Sequence, residues 1–591
     1  MGLRRILLTI TLLGLASQAA PARAAGCSLG KVADLPVTMT GLQPMVTAKV
    51  NGVEAPFIFD SGSFFSTLTP AGAAKFGMRP GPAPSNLVVR GLGGEAHVQM
   101  AVAREFGFAD MTFHRVDFLV AEKGFGGGAV GLIGRNIFPS LDIEYDLANG
   151  VIRLFQTEGC KDAALAYWAT TSGYSVVNID RTDLHDPHIR GSASVNGVKV
   201  RFMLDTGSGN SMLGLAAAAR AGVTPKSPGV VSAGVSSGLG LRSYMETWIA
   251  PVSSFSVGDE TINHTRLRIG DMDLWDDSEM LLGADFFLSH RIFVANSEHK
   301  VYFTYNGGPV FNLNMKPQNT TVASAAPGAD KFADTPTDAV GFSRRAAAFT
   351  ARLDYARAID DLTRAIALDP ASPDYVFQRG MARMSARQPV LAMADFDQVL
   401  KLRPDDVAAT MARAQLRLGA RDLDGAQADL AAADRLAEKN PDLRLRLATA
   451  YVRAGLPKES IGQYDQWIAG HPKDDQLSEA LTGRCWVRAL WGLDLDKARA
   501  DCDAALRLTP GSPPILNSRG LVRLRLGEFD RAIADYDGAL RLEPSNPWAL
   551  YGRGLAKLRK GLKDEGEADL KAATTLRPRL PDEAKARGLT P

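Results

Sequence analysis

The stretch Phe57-Ile58-Phe59-Asp60-Ser61-Gly62-Ser63 returns 145 residues later as Phe202-Met203-Leu204-Asp205-Thr206-Gly207-Ser208. Each copy is an apolar run closed by an acid, a hydroxyl residue and a glycine, the pattern of a buried strand that ends in a tight turn. The same offset joins Val50-Asn51-Gly52-Val53 to Val195-Asn196-Gly197-Val198, and Phe76-Gly77-Met78 to Ala221-Gly222-Val223. Further on, Gly131-Leu132-Ile133-Gly134-Arg135-Asn136-Ile137-Phe138 answers to Met280-Leu281-Leu282-Gly283-Ala284-Asp285-Phe286-Phe287, with Gly134 and Gly283 standing 74 and 78 residues after the two aspartates. Short runs such as Val46-Thr47-Ala48-Lys49-Val50 and Val151-Ile152-Arg153-Leu154-Phe155 surround these motifs. Two copies of one β unit are therefore expected, over 36–157 and 185–306.

Beyond them the grammar changes. Residues 307–336 mix Gly, Pro, Asn, Ser and Ala without a period and read as a linker; from 337 Ala, Leu, Arg and Asp recur at helical spacing. Pro370, Pro404, Pro441, Pro472, Pro510, Pro544 and Pro578 each follow an amphipathic segment, at intervals of 31 to 38 residues. Counting back from these prolines, glycine falls 24 before at Gly380, Gly520 and Gly554, alanine 12 before at Ala358, Ala392, Ala498 and Ala532, and an aromatic eight before at Phe396, Tyr464 and Tyr536. The pattern resembles the tetratricopeptide repeat, which implies seven helix pairs over 337–580, stacked into a superhelix whose concave face takes a protein partner. The array is expected to form a body separate from the β units.

The N-terminal doublet resembles the retropepsin-type aspartic protease unit: two apolar residues, Asp, Ser or Thr, Gly, then a Gly-rich flap, then two apolar residues, Gly, any residue, and Asp or Asn. Gly134-Arg135-Asn136 is close to the retroviral form. The resemblance covers 36–306 and is specific as a doublet, since a lone Asp-Ser/Thr-Gly is common by chance. It implies a multidomain chain, an all-β acid-protease-like tandem of two pseudo-symmetric units followed by the all-α superhelix. It further implies an aspartic endopeptidase with catalytic Asp60 and Asp205, supporting turns Ser61, Gly62, Ser63 and Thr206, Gly207, Ser208, a peptide or protein substrate, and neither cofactor nor metal. The chemistry asks for two carboxylates that share one proton, one acting as base toward water and the other as acid toward the scissile carbonyl. Like charges about 3 Å apart cannot both ionise easily, so the pair titrates together. One unit brings one aspartate; a covalent tandem supplies both.

Two other readings use the same residues. One is a catalytically silent protein-binding scaffold on this fold; the other is an enzyme active only as a dimer, each aspartate pairing with its copy in a second chain. The short connection from Phe155 to Ile189 favours pairing within one chain. Arg90-Gly91-Leu92-Gly93-Gly94 and Ala233-Gly234-Val235-Ser236-Ser237-Gly238 are candidate flaps, or else ordinary hairpin tips. The chain departs from the family pattern at Phe64 and Phe65, where retroviral enzymes carry acids, one of which pairs with the arginine of Gly-Arg-Asn; Arg135 thus lacks that partner. The first flap also has no Tyr. Gly126-Gly127-Gly128-Ala129-Val130-Gly131 fits a dinucleotide-binding spacing but has no helix after it, and Gly234-Val235-Ser236-Ser237-Gly238 lacks the helix of a serine-hydrolase elbow. His185 and His188 flank Asp186-Pro187 and read as a solvated turn.

The chain has 591 residues, 46% hydrophobic and 22% charged, so neither disorder nor a collagen-like repeat fits. Residues 1–24 run from Arg4-Arg5 through the apolar stretch Ile6 to Leu15 to Ala22-Arg23-Ala24, the three parts of a secretory signal peptide cleaved near Ala24. No later apolar run reaches a membrane span. Export is therefore expected, and a tandem of such units fused to such repeats points to a bacterial periplasm. Ala24-Ala25-Gly26-Cys27 is similar to a lipoprotein cleavage site, but it lies far from the apolar run behind Arg23, so anchoring at Cys27 is the lesser reading. Without the leader 64 bases face 65 acids, which gives nucleic acid nothing to bind. In an oxidising compartment four cysteines invite pairing with three possible connectivities. The spacing suggests Cys27 with Cys160 and Cys485 with Cys502, with free buried thiols an equal reading of the second pair. None shows zinc-site spacing.

Overall fold

The repeated Val-Asn-Gly-Val motifs are two-residue hairpin turns. Strand Gln43–Val50 returns as Val53–Phe59 through Asn51 (φ 49°) and Gly52 (φ 88°), and Arg190–Val195 returns as Val198–Leu204 through Asn196 (φ 51°) and Gly197 (φ 78°). Both residues of such a turn need positive φ, which Asn-Gly supplies at least cost. In this computed structural model the described residues are 27–591 apart from 85–86, 93, 122–124, 139, 162, 170–172, 182–187, 237, 239–244, 273–276, 312, 314–334, 438–442, 473 and 475. The leader, most of the 307–336 connection, Gly93 and His185 lie outside them.

The N-terminal region is all-β with two barrel-like units. The first is an eight-stranded sheet that closes on itself, because Gln43–Val50 pairs with Val98–Phe108 as well as with Val53–Phe59. The second is a seven-stranded sheet closed in the same way by Arg190–Val195 and Met245–Val257. A third, six-stranded sheet takes strands from both units and joins them where Asp142–Asp146 pairs antiparallel with His290–Ala295. The Cys27–Cys160 disulfide ties down one edge of this layer. One apolar core runs through both units, from Phe57 and Phe106 to Phe202 and Phe287.

The C-terminal region is a run of helices, and among the described residues fourteen of them, from Ala339–Ala351 to Lys563–Leu576, form seven antiparallel pairs before a short helix Leu580–Lys585. The small residues counted back from proline sit where the two helices of a pair touch: a Cβ on Gly380 would stand 2.7 Å from the Phe396 ring and one on Gly520 2.9 Å from Tyr536. Bidentate ion pairs cross the same seams, Arg379 with Asp395, Arg413 with Asp429, Arg519 with Asp535 and Arg553 with Asp569. Cys485 and Cys502 form a disulfide between the two helices of the fifth pair.

The expectation of a separate helical body is corrected. Helix Ala339–Ala351 packs on strand Thr38–Thr40 and on the turn Leu147–Asn149, and Ala348 and Ala351 belong to the β core. Arg352 adds a hydrogen bond to the carbonyl of Gly307. An amphipathic helix must cover its apolar face, and this one, first in the array, has a helical neighbour on one side only.

Candidate active site

Asp60 leaves the end of strand Val53–Phe59, and Asp205 the end of Val198–Leu204. Each main chain is pinned by the strand that carries the later Gly motif: Asp60 N–H donates to Ile133 O and Asp205 N–H to Leu282 O, both at 3.0 Å. The two turns then interlock. Ser61 N–H donates to Thr206 Oγ1 and Thr206 N–H to Ser61 Oγ, each at 3.0 Å. The same hydroxyls reach on into the opposite unit, Ser61 Oγ donating to Leu204 O (3.0 Å) and Thr206 Oγ1 to Phe59 O (2.7 Å). All four bonds are buried, so each hydroxyl satisfies a donor and an acceptor that water cannot reach.

This lattice brings the aspartates of one chain together. Their side chains share a hydrogen bond. The approach is close enough that a Cβ on Gly62 would stand 2.4 Å from Asp205 Cγ, and one on Gly207 2.4 Å from Asp60 Cγ. Glycine is therefore required for space at both positions. Gly62 N–H (2.9 Å) and Ser63 N–H (3.1 Å) donate to Asp60 Oδ1, and Ser208 N–H donates to Asp205 Oδ1 (3.0 Å). Burial, reinforced by the neighbouring Asp205, pushes the Asp60 carboxyl well above the usual carboxylate range. Burial also raises Asp205, against the pull of donors from Ser208, Asp60 and Gly207 and of the nearby His188. Both carboxyls are thus held toward the protonated form, and they titrate as a pair.

Sequence reasoning missed the residues that brace these turns. Ser66 donates through N–H (2.9 Å) and Oγ (2.8 Å) to Asn136 Oδ1, and Gly134 N–H donates to Ser66 Oγ (3.0 Å). The second unit repeats this with Ser211, Asp285 and Gly283, at 2.8, 2.6 and 2.9 Å. The last residue of each Gly-x-Asn/Asp motif is therefore the anchor of its Asp-Ser/Thr-Gly loop. The signal was present, since Ser66 and Ser211 also stand 145 residues apart. Arg135 reaches across to donate to Asn296 Oδ1 of the second unit (2.9 Å). Tyr145, fully buried below the turns, has its phenol raised by burial. His188 is half-buried near Asp205, while His185, Asp186 and Pro187 of the same stretch lie outside the described residues.

The first flap candidate is a hairpin of Val89–Gly91 and Gly94–Ala96, and the second rises from Val231–Ser236 paired with Met245–Val257. Their tips approach each other, for a Cβ on Gly238 would stand 2.5 Å from that of Leu92. Gly234 holds a positive φ of 77° at an irregularity in the strand pairing. Among the described residues no cluster of His, Cys, Asp and Glu could hold a metal ion, and no helix is long and apolar enough to cross a membrane.

The family comparisons divide the chain as its structure does. A family model for aspartyl proteases matches residues 46–137 and again 191–286. Tetratricopeptide repeat models match 344–407, 411–475 and 520–561. Among solved structures, a tetratricopeptide repeat protein from Parabacteroides merdae is 15% identical with a TM-score of 0.36, over 42% of this chain and 98% of that one. YrrB, described as a tetratricopeptide protein with an unusual peptide-binding site, is 20% identical with a TM-score of 0.27, over 32% of this chain and 97% of its own. No curated relative matches. The chain joins a tandem of aspartyl-protease-like units to an array of tetratricopeptide repeats.

Proposed function

We propose that this chain is an exported aspartic endopeptidase with a single intramolecular dyad, Asp60 and Asp205, and that its helical repeats recruit a protein partner or substrate. The observation that carries the reading is the close approach of two carboxyls from one chain, held by reciprocal buried hydrogen bonds between their turns. A water between them would give a proton to the ionised member of the pair as it attacks the scissile carbonyl. The protonated member would pass its proton to the carbonyl oxygen, yielding a neutral gem-diol that collapses to acid and amine. The touching flap tips support a cleft that closes over an extended peptide and excludes water. Two disulfides fit an oxidising compartment, and we propose the bacterial periplasm.

The deciding experiment is cleavage of unfolded protein and of a mixed peptide library across pH 3–8 by the chain without its leader, beside Asp60→Asn and Asp205→Asn. Cleavage with an acidic to mildly acidic optimum, lost in both variants, is expected. An inert parent under all conditions would favour the binding scaffold. Activity retained by either variant would overturn the single-dyad mechanism.

A further inference from the structure

Helices Leu477–Trp491, Pro513–Arg525 and Pro547–Arg559 are the first members of the last three pairs and lie side by side. In stacked repeats this is the inner, concave face. A segment of the chain itself crosses it. Helix Leu580–Lys585 ends in a left-handed turn at Gly588 (φ 67°), with Leu589 N–H donating to Ala584 O at 3.0 Å, and this turn sends the backbone back over the face.

There the segment is held through its main chain. Arg525 Nη2 donates to Arg587 O (2.6 Å), Tyr551 O–H to Leu589 O (3.5 Å) and Arg559 Nη2 to Thr590 O (3.0 Å). Two side chains are also engaged. Leu589, 6% exposed, lines a pocket together with Trp486, Asn517 and Leu555, and the Arg587 guanidinium lies 4.8 Å from the centre of the Trp491 ring. Main-chain carbonyls are common to every polypeptide, so any chain that turns along this path could accept the same three bonds. Selectivity is left to a cation over Trp491 and an aliphatic group in the pocket, one residue apart.

The fit of the resident segment is incomplete. Asn517 lines this pocket, its residue is only 8% exposed, and its buried Oδ1 has no hydrogen-bond partner among the described residues. A buried acceptor left unpaired is unfavourable, and a ligand that brings an N–H to it gains what Leu589 does not supply. Leu589 is also the only residue of 586–591 that is buried, so few contacts beyond those just named hold the segment.

We propose that this face is a peptide-binding groove for segments that read cation, glycine, aliphatic residue and turn at the glycine, and that residues 587–590 occupy it in cis as a displaceable ligand. The proposal names the partner chemistry of the recruitment reading above and rests on it. The test uses the full chain and a fluorescein-labelled peptide Ala-Arg-Gly-Leu-Thr-Pro, followed by anisotropy. Leu589→Asp evicts the resident side chain and should bind the peptide at least tenfold more tightly than the parent; adding Arg525→Ala should remove at least tenfold of that affinity. Helical circular dichroism checks that the array is intact. Should Leu589→Asp unfold the last pair, hydrogen exchange on the parent decides instead: unlabelled peptide at millimolar concentration should speed exchange in the fragment containing 580–591, and unchanged exchange would overturn the proposal. Equal affinity of parent and evicted chain would overturn occupancy in cis while leaving recruitment standing. Absence of binding to both, with helicity intact, would overturn the groove and recruitment through these repeats together.

Discussion

Thr206→Val tests whether the interlocked turns hold the two units together. Valine has nearly the shape of threonine, so no cavity opens, and only the hydroxyl is lost. That hydroxyl accepts from Ser61 N–H at 3.0 Å and donates to Phe59 O at 2.7 Å, and Thr206 is fully buried. Two buried main-chain groups are left unpaired, at about 1–3 kcal/mol each. Allowing for partial relaxation, the β region should lose about 3 kcal/mol, on the order of 6–12 °C in its melting temperature. Because the chain has several structural regions, a global melt can mix transitions, and hydrogen exchange by mass spectrometry is the sharper assay. Amides in 57–66 and 198–212 should exchange faster in Thr206→Val, while those of the repeats beyond residue 373 keep their rates. Thr206→Ser retains both hydrogen bonds and should restore protection. Unchanged exchange in 57–66, with a melt within about 0.5 kcal/mol of the parent, would refute the claim that this hydroxyl couples the units.

Asp60→Asn should stabilise the fold at neutral pH while abolishing any cleavage. Burial raises the folded-state pKa of Asp60 above its unfolded value, so its contribution to stability is fully present below the unfolded pKa and is lost as pH rises through the folded one; the amide has no such loss. Chemical denaturation should therefore give a gap between variant and parent that grows from pH 4 to pH 7, and a gap independent of pH would contradict the assignment. Replacing Cys485 and Cys502 by alanine together opens a link between residues 17 apart and should cost the repeats about 3 kcal/mol in a denaturant titration read by helical circular dichroism. A loss under about 1 kcal/mol would mean the cross-link is dispensable. Arg413→Met breaks ion pairs to Asp429 (2.7 Å) and Asp397 (2.8 Å), but Arg417 still pairs with Asp429, so about 1–2 kcal/mol is expected. The exposed Arg364 that pairs with Asp360 should give less than about 0.5 kcal/mol when changed to Met in the same assay.

Signals written along one stretch of chain were legible without coordinates. Hydrophobic period and proline spacing identify helix pairs because a helix and its stop depend on neighbours within a few residues. The recurrence of Asp-Ser-Gly as Asp-Thr-Gly marks two like turns, since both need the same small residue in the same tight space. Which groups then meet is another matter. The partners of Ser61, Thr206 and Arg135 lie 143 to 161 residues away, at distances where sequence spacing says nothing about contact. Arg135 reaches Asn296 in the other unit, a contact that no motif spacing marks. The arginine ladder was written at 16- and 17-residue spacing, yet only the antiparallel packing of each pair turns that spacing into ion pairs. Likewise, helix Ala339–Ala351 could be read as a helix but not as a lid on the β core, and Leu589 could not be read as lying among Trp486, Asn517 and Leu555. Local propensity chooses the element; burial of its apolar face against whatever surface the rest of the chain offers chooses the neighbour, and that choice is made only in three dimensions.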